Sequence, residues 1–186
     1  MTQGSSRRAW LLTALVALAG ASRAHAQVQT VPREVAANLA DARLLGSGTL
    51  RFFGLHVYDA RLWVGPHFDP VEPAASELAL ELEYRRDLKG QRIAERSLVE
   101  MQRGEPFGTE QGARWLAAMR NLFPDVRAGD RLSAINRRGE GIAFYLNGAP
   151  IGVLHDTGFA RRFLAIWLGP HTSEPGLRRQ LLGRNG

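Results

Sequence analysis

Arginine dominates the side chains that could do chemistry in this chain: Lys89 is the only lysine, beside 23 arginines. A planar guanidinium offers paired donors to a carboxylate or phosphate, which an ammonium does not. That points to anion recognition, although a coding bias toward arginine would give the same count. The chain has no cysteine, so thiolate metal sites, cysteine nucleophiles and lipid attachment at cysteine are excluded. His56, His67, His155 and His171 lie without metal-ligand spacing, and neither a metal site nor a cofactor is expected. No Gly-rich phosphate loop, nucleophile elbow or Ser-His-Asp order stands out. Asp87, Glu95 and Glu100 read as solvated charges of loop and helix. Tyr58 falls on a half-buried strand pattern, where a tyrosine packs its ring and hydrogen-bonds its hydroxyl. Trp63, Trp115 and Trp167 read as core residues that would also line any cleft for an apolar ligand.

The N-terminal segment is set apart by its pattern. Arg7 and Arg8 precede an apolar run over residues 10–20, and Ala24-His25-Ala26 supplies small residues of the kind signal peptidase cuts. Residues 1–26 are therefore expected to be a secretory signal peptide, and 27–186 the mature chain, periplasmic or secreted, beginning at Gln27. Ser6-Arg7-Arg8-Ala9-Trp10-Leu11 also resembles a twin-arginine export signal. The apolar run is shorter than the ~20 residues that a membrane span needs. No second run of spanning length follows, so no stable membrane span is expected after processing. Removing 26 of 186 residues leaves 160, the size of one domain with one core. The formal charge of +6 includes Arg7, Arg8 and Arg23. Basic residues in the rest of the chain are interleaved with acids, so a nucleic-acid partner is not expected.

Any site must be positioned by the elements of this single domain. Residues 44–53 and 55–64 read as strands, with Gly46 and Gly48 loosening the start of the first. Residues 66–75 carry Pro66, Pro70 and Pro73 and read as a loop. In 78–84, Leu78, Leu80, Leu82 and Tyr84 share one face while Glu81 and Glu83 share the other, the signature of a half-buried strand. A helix follows over 91–103, with Ile93, Leu98 and Met101 near one side. Another starts at Thr109, carries Trp115, Met119 and Leu122 at helical spacing, and stops at Pro124. Residues 131–137 and 142–146 are strands, and Asn147-Gly148 is a strong hairpin signal, with 150–154 returning. Asp156 or Thr157 caps a helix bearing Phe159, Phe163, Ile166 and Trp167. Gly169-Pro170 ends it, and a short helix over 175–182 closes the chain. Strands, two helices, a meander and two helices predict an α+β fold: a large antiparallel sheet with a layer of helices on one face. A cleft between sheet and helices suits a small apolar ligand.

Several segments together resemble the chalcone isomerase-like family in its bacterial exported branch. They are Gly46-Ser47-Gly48-Thr49-Leu50-Arg51 and Val57-Tyr58-Asp59-Ala60-Arg61-Leu62-Trp63, then Gly129-Asp130 and Tyr145-Leu146-Asn147-Gly148 with Ile151-Gly152-Val153. Phe163-Leu164-Ala165-Ile166-Trp167-Leu168-Gly169 and Leu177-Arg178-Arg179-Gln180-Leu181-Leu182-Gly183 complete the set. The resemblance implies an open-faced sandwich of a large antiparallel sheet and a helix layer. It implies one of two activities. Plant enzymes of the family are intramolecular lyases (isomerases) that close a chalcone ring, with an arginine stabilising charge on the carbonyl. Other branches bind fatty acids or related apolar ligands.

Carried onto this chain, the family arginine falls at Arg51, the catalytic residue if the protein is an enzyme. Counting back from Tyr58 puts Leu50 there instead, and one residue of register on a strand reverses the side chain's face. The family's threonine falls near Phe53, its tyrosine and asparagine near Phe107 and Arg114, and its late hydroxyl near Ala149. Groups that handle protons are thus replaced by apolar or differently charged ones. The resemblance implies Arg51, Tyr58, Phe53, Phe107 and Arg114 as ligand-binding residues. The expected function is non-catalytic binding of a small apolar acid, a fatty acid or a polyketide-like compound. The alternative is an isomerase acting on an unsaturated carbonyl compound.

Overall fold

Six segments with apolar residues at alternate positions pair side by side, because each has one face to bury. They are β1 (Arg43–Phe52), β2 (Leu55–Val64), β3 (Leu78–Tyr84), β4 (Arg131–Arg137), β5 (Gly141–Leu146) and β6 (Ala149–Leu154). In the computed structural model, which describes residues 30–184, they form one sheet in sequence order, every pair antiparallel. The expected signal peptide and the start at Gln27 lie outside the described residues.

On one face, Ala60, Leu62 and Val64 of β2, Leu78, Leu80 and Leu82 of β3, and Ile142 and Phe144 of β5 enter the main core. The helices α2 (Gly90–Met101), α3 (Thr109–Leu122), α4 (Thr157–Leu168) and α5 (Pro175–Leu181) cover that face. The expected α+β architecture is the observed one. Asp156 ties two of these helices together. Its carboxylate accepts the Phe159 N–H that opens α4, at 2.8 Å, and the indole N–H of Trp115 on α3, also at 2.8 Å.

The far face is partly covered too, by a short helix that the sequence did not announce. This is α1 (Arg33–Ala36), one turn long and so without readable periodicity. Val35 and Leu39 pack there on Trp63, Ala79 and Ile135. Glu34 is buried beside them and accepts from Arg131 at 3.1 Å and Ser133 at 3.0 Å. Arg61 spans Glu81 and Glu83 at 2.7 and 2.9 Å, so buried carboxylates on this face are paired, as burial requires. The proline-rich stretch 66–75 also contains a short 3₁₀ turn, Pro73–Ala75.

Two details position the site. First, α5 lies so close to β1 that a Cβ on Gly46 would come within 2.1 Å of the Gln180 carbonyl. Gly46 also sits at a register slip, at the loosened start of the strand predicted from its type and that of Gly48. Second, two hairpins turn on left-handed residue pairs. Asn147-Gly148 has φ of 52° and 86°, and Phe53-Gly54 has 48° and 77°. Such turns match the twist of the paired strands.

Candidate functional site

Between the sheet and the helices α2 and α4 lies a half-open chamber of about 370 Å³, within the range of small-molecule sites, roughly 300–1,000 Å³. Strand alternation sends Leu50, Leu82 and Leu132 into it from the sheet, and Ile93, Phe163 and Ile166 meet them from the helices. The wall is therefore mostly hydrocarbon.

Its polar groups are few and grouped. On α2, Arg92, Arg96 and Glu100 recur every four residues, which places them on one face of a helix, and all three line the chamber. Arg86, from the turn after β3, joins them. Arg92 and Arg86 are exposed, so the guanidiniums stand at the rim. Glu100 is the reverse case. The sequence placed it in solvent, but it is only 7% exposed. Arg96 and Arg103 approach its carboxylate oxygens to 2.6 and 2.8 Å. Neither oxygen has a well-directed hydrogen bond, so the charge is balanced while both oxygens stay able to accept one.

Tyr58 stands deeper, opposite Leu50 on β1 and Tyr84 on β3. Its hydroxyl oxygen accepts the indole N–H of Trp167 at 2.9 Å. Burial pushes this hydroxyl well above the ordinary tyrosine range, and the nearby carboxylates of Glu174 and Glu100 add to that, against the opposing Trp167 hydrogen bond. The phenol is thus neutral. With its oxygen engaged by Trp167, its own proton finds no protein acceptor among the described residues. It can donate to a carboxylate or carbonyl oxygen.

Of the five binding residues expected from the resemblance, only Tyr58 lines the chamber. Arg51 lies between Leu50 and Phe52, which both face in, so pleating turns it to the opposite side. There it borders a polar depression with Thr49, Asp59 and Arg61. A register slip after Leu50 pairs Arg51 with His56. The position that faces the chamber is the alternative, Leu50. Phe53 is in the hairpin turn and 90% exposed. Phe107 packs its ring against Trp115, centroids 4.9 Å apart, under the Arg162 guanidinium, and does not reach the chamber. Arg114 is exposed on α3 and donates to Gln111 at 2.6 Å. Ala149 starts β6 in contact with solvent. Asp87 caps the Ala128 N–H, and Glu95 pairs with Arg92 and Arg120, as surface charges do.

Sequence reasoning missed Arg86, Arg92, Arg96 and Glu100. A usable signal was present: the four-residue spacing of Arg92, Arg96 and Glu100 beside Ile93 and Ser97 makes a mixed polar and apolar stripe on α2. Among the described residues no group of acids and histidines could hold a metal ion. No described helix is long and apolar enough to cross a membrane.

Comparison with known proteins agrees with this architecture. The sequence model described as chalcone isomerase-like matches residues 24–183. A crystal structure of a fatty-acid binding protein from Arabidopsis thaliana superposes with a TM-score of 0.58 at 13% identity, covering 77% of this chain and 88% of that one. At that identity the likeness concerns the fold. Proteins of curated function give no match.

Proposed function

This chain belongs to the chalcone isomerase-like family, and from that membership we propose that it is an exported, non-catalytic protein that binds a small apolar acid such as a fatty acid. The observation that carries the reading is the chamber, an apolar cavity of about 370 Å³ with arginines gathered at one rim. A hydrocarbon tail against Leu50, Leu82, Leu132 and Phe163 gains about 0.8 kcal/mol for each buried methylene. A carboxylate at Arg92 and Arg96 gains charge-assisted hydrogen bonds of ~1.5–3 kcal/mol once partly desolvated. The Tyr58 hydroxyl offers a further donor inside. The similar plant structure is titled a fatty-acid binding protein, which supports the same ligand class. The absence of catalysis is supported by Leu50, which stands in the chamber where the family arginine would act, and by Phe53, Phe107, Arg114 and Ala149, which bring no hydroxyl or carboxamide and do not line the chamber.

Titration calorimetry with saturated fatty acids of increasing length tests the proposal. Affinity rises about fourfold per methylene, the equivalent of 0.8 kcal/mol, until the chamber is full, and the methyl esters bind more weakly than the acids. Equal affinity for acid and ester, or no saturable binding in the whole series, would refute it. Extraction and mass spectrometry of protein purified from its native host identifies the resident ligand. N-terminal sequencing of the same material tests export, with Gln27 as the expected first residue.

A further inference from the structure

We infer that the tip of the β1–β2 hairpin is a membrane-docking element, which enters the interfacial layer of an anionic bilayer and sets the chamber mouth against it. Three large apolar residues are gathered at this tip. Phe52 is 52% exposed, Phe53 90% and Leu55 54%. Neither packing nor turn chemistry explains Phe53. The Phe52 ring lies edge-on to it at 4.6 Å, and Phe52 is itself half in solvent. The turn demands a left-handed residue, and Phe53 adopts φ of 48°, a conformation that asparagine takes readily and a bulky side chain does not. The equivalent position of the β5–β6 hairpin, with φ of 52°, holds Asn147. The same molecule therefore uses the relaxed residue at one end of its sheet and a strained, exposed aromatic at the other. An aromatic ring placed at such a site is stabilised once it reaches an apolar phase.

Charge and position indicate what that phase is. The tip is flanked by cations. Arg51 pairs with His56 within the hairpin. The Arg85 N–H bonds to the Val57 carbonyl at 2.9 Å, which brings Arg86 to the hairpin's base. Among the described residues neither Arg51 nor Arg86 has a carboxylate at ion-pair distance, whereas Arg85 is held by Asp59 and Glu83. Exposed aromatics flanked by two uncompensated guanidiniums complement anionic headgroups over a hydrocarbon layer. Phe52 also lines the chamber, as do Arg86 and Arg92, so a docked tip places the opening at the membrane surface. An apolar acid then passes between bilayer and chamber without crossing water. That delivery step rests on the proposed ligand class, while the docking rests on the hairpin alone.

Co-sedimentation with vesicles tests the docking. The protein is mixed with vesicles of phosphatidylcholine and with vesicles of equal phosphatidylcholine and phosphatidylglycerol. It sediments with the mixed vesicles and less with the neutral ones, and salt weakens the binding. Phe53→Asn lowers the partition coefficient about tenfold or more, from the apolar area withdrawn. The variant folds at least as well, since asparagine suits the turn. Its fatty-acid affinity in solution, measured by calorimetry, is unchanged, because Phe53 does not line the chamber. Parent protein that ignores the mixed vesicles, or Phe53→Asn that binds them as tightly as the parent, overturns the inference. A dimer in the ultracentrifuge that Phe53→Asn converts to monomer, without vesicle binding by either, assigns the tip to a second copy instead. Calorimetry judges the ligand and sedimentation judges the docking, so either can fail alone.

Discussion

The indole N–H of Trp167 is aimed at the hydroxyl oxygen of Tyr58, 2.9 Å away, from the opposite wall of the chamber. This bond leaves the phenol proton as the donor that a ligand would meet. Tyr58→Phe keeps the ring and removes both relations. Ligand affinity is expected to fall about 2- to 15-fold, the worth of one neutral hydrogen bond. Stability is expected to fall as well, by ~1–3 kcal/mol, because the Trp167 N–H loses its buried acceptor. Calorimetry and denaturant unfolding read the two effects separately. Unaltered affinity for every fatty acid tested would show that the hydroxyl does not touch the ligand.

The same tyrosine predicts an alkaline limit to stability. Tyr58 and Tyr84 face each other across β2 and β3, ring centroids 6.0 Å apart, and burial pushes both hydroxyls well above the ordinary value of 10.0. In the unfolded chain both ionise near that value, while in the folded protein they stay neutral. Stability is therefore complete below about pH 10 and declines as pH rises beyond it, each tyrosine adding a slope of ~1.4 kcal/mol per pH unit. The window is clean because arginine does not titrate there and Lys89 is the only lysine. Lys89 is fully exposed and raised by its hydrogen bond to Asp125, so it acts in the same direction. Unfolding midpoints from about pH 8 to 11, with tyrosinate absorbance followed in parallel, give the test. A flat midpoint with early ionisation would mean that the two rings are open to solvent.

Trp167→Ala is expected to destabilise the fold by ~3–5 kcal/mol, in the range of large aromatic truncations in cores. The indole is only 7% exposed and lies edge-on to Phe163, centroids 5.3 Å apart. Loss of the ring also opens the chamber toward α4. The denaturation midpoint measures the cost, and a loss below ~1 kcal/mol would contradict the burial.

What the sequence revealed of this fold follows from the alternation of apolar and polar residues. Leu78, Leu80, Leu82 and Tyr84 announce β3 because their face meets the continuous main core, although the strand is not half-buried as expected: Ala79 and Glu81 on its other face are buried too. Asn147-Gly148 announces its hairpin because few residues tolerate that backbone. Phe53-Gly54 performs the same turn in disguise, since its first residue opposes the turn's usual chemistry. The site was harder to read than the frame. Arg51 and Leu50 differ by one step of a strand, and a bulge at Gly46 with a second slip after Leu50 breaks any count of parity along β1. Glu100 looked solvated because an acid on a helix nearly always is, and its burial appears only once α2 is packed against α3 and α4. The spacing of Arg92, Arg96 and Glu100 marks a stripe on α2, but whether that stripe is buried is decided by tertiary packing.

The contrast between Arg51 and Arg96 yields the most decisive experiment on the site. Arg51 faces away from the chamber, between two residues that face in. Arg51→Ala is expected to leave fatty-acid affinity in solution unchanged. Arg96 lines the chamber and already lies 2.6 Å from a buried carboxylate. Arg96→Ala withdraws a cation from the ligand and leaves Glu100 with Arg103 alone, so bound acid is expected to weaken about 10- to 150-fold. Arg96→Lys restores part of this, because a single ammonium cannot hold two carboxylates with paired donors. Glu100→Gln separates the two causes. It removes the competing carboxylate while keeping Arg96, and should preserve or strengthen binding. A spectrophotometric assay of chalcone cyclisation run on the same proteins is expected to stay at the uncatalysed rate. Turnover that Arg51→Ala abolishes would place Arg51 at a reacting carbonyl, reverse the β1 register described here, and favour an isomerase over a binding protein.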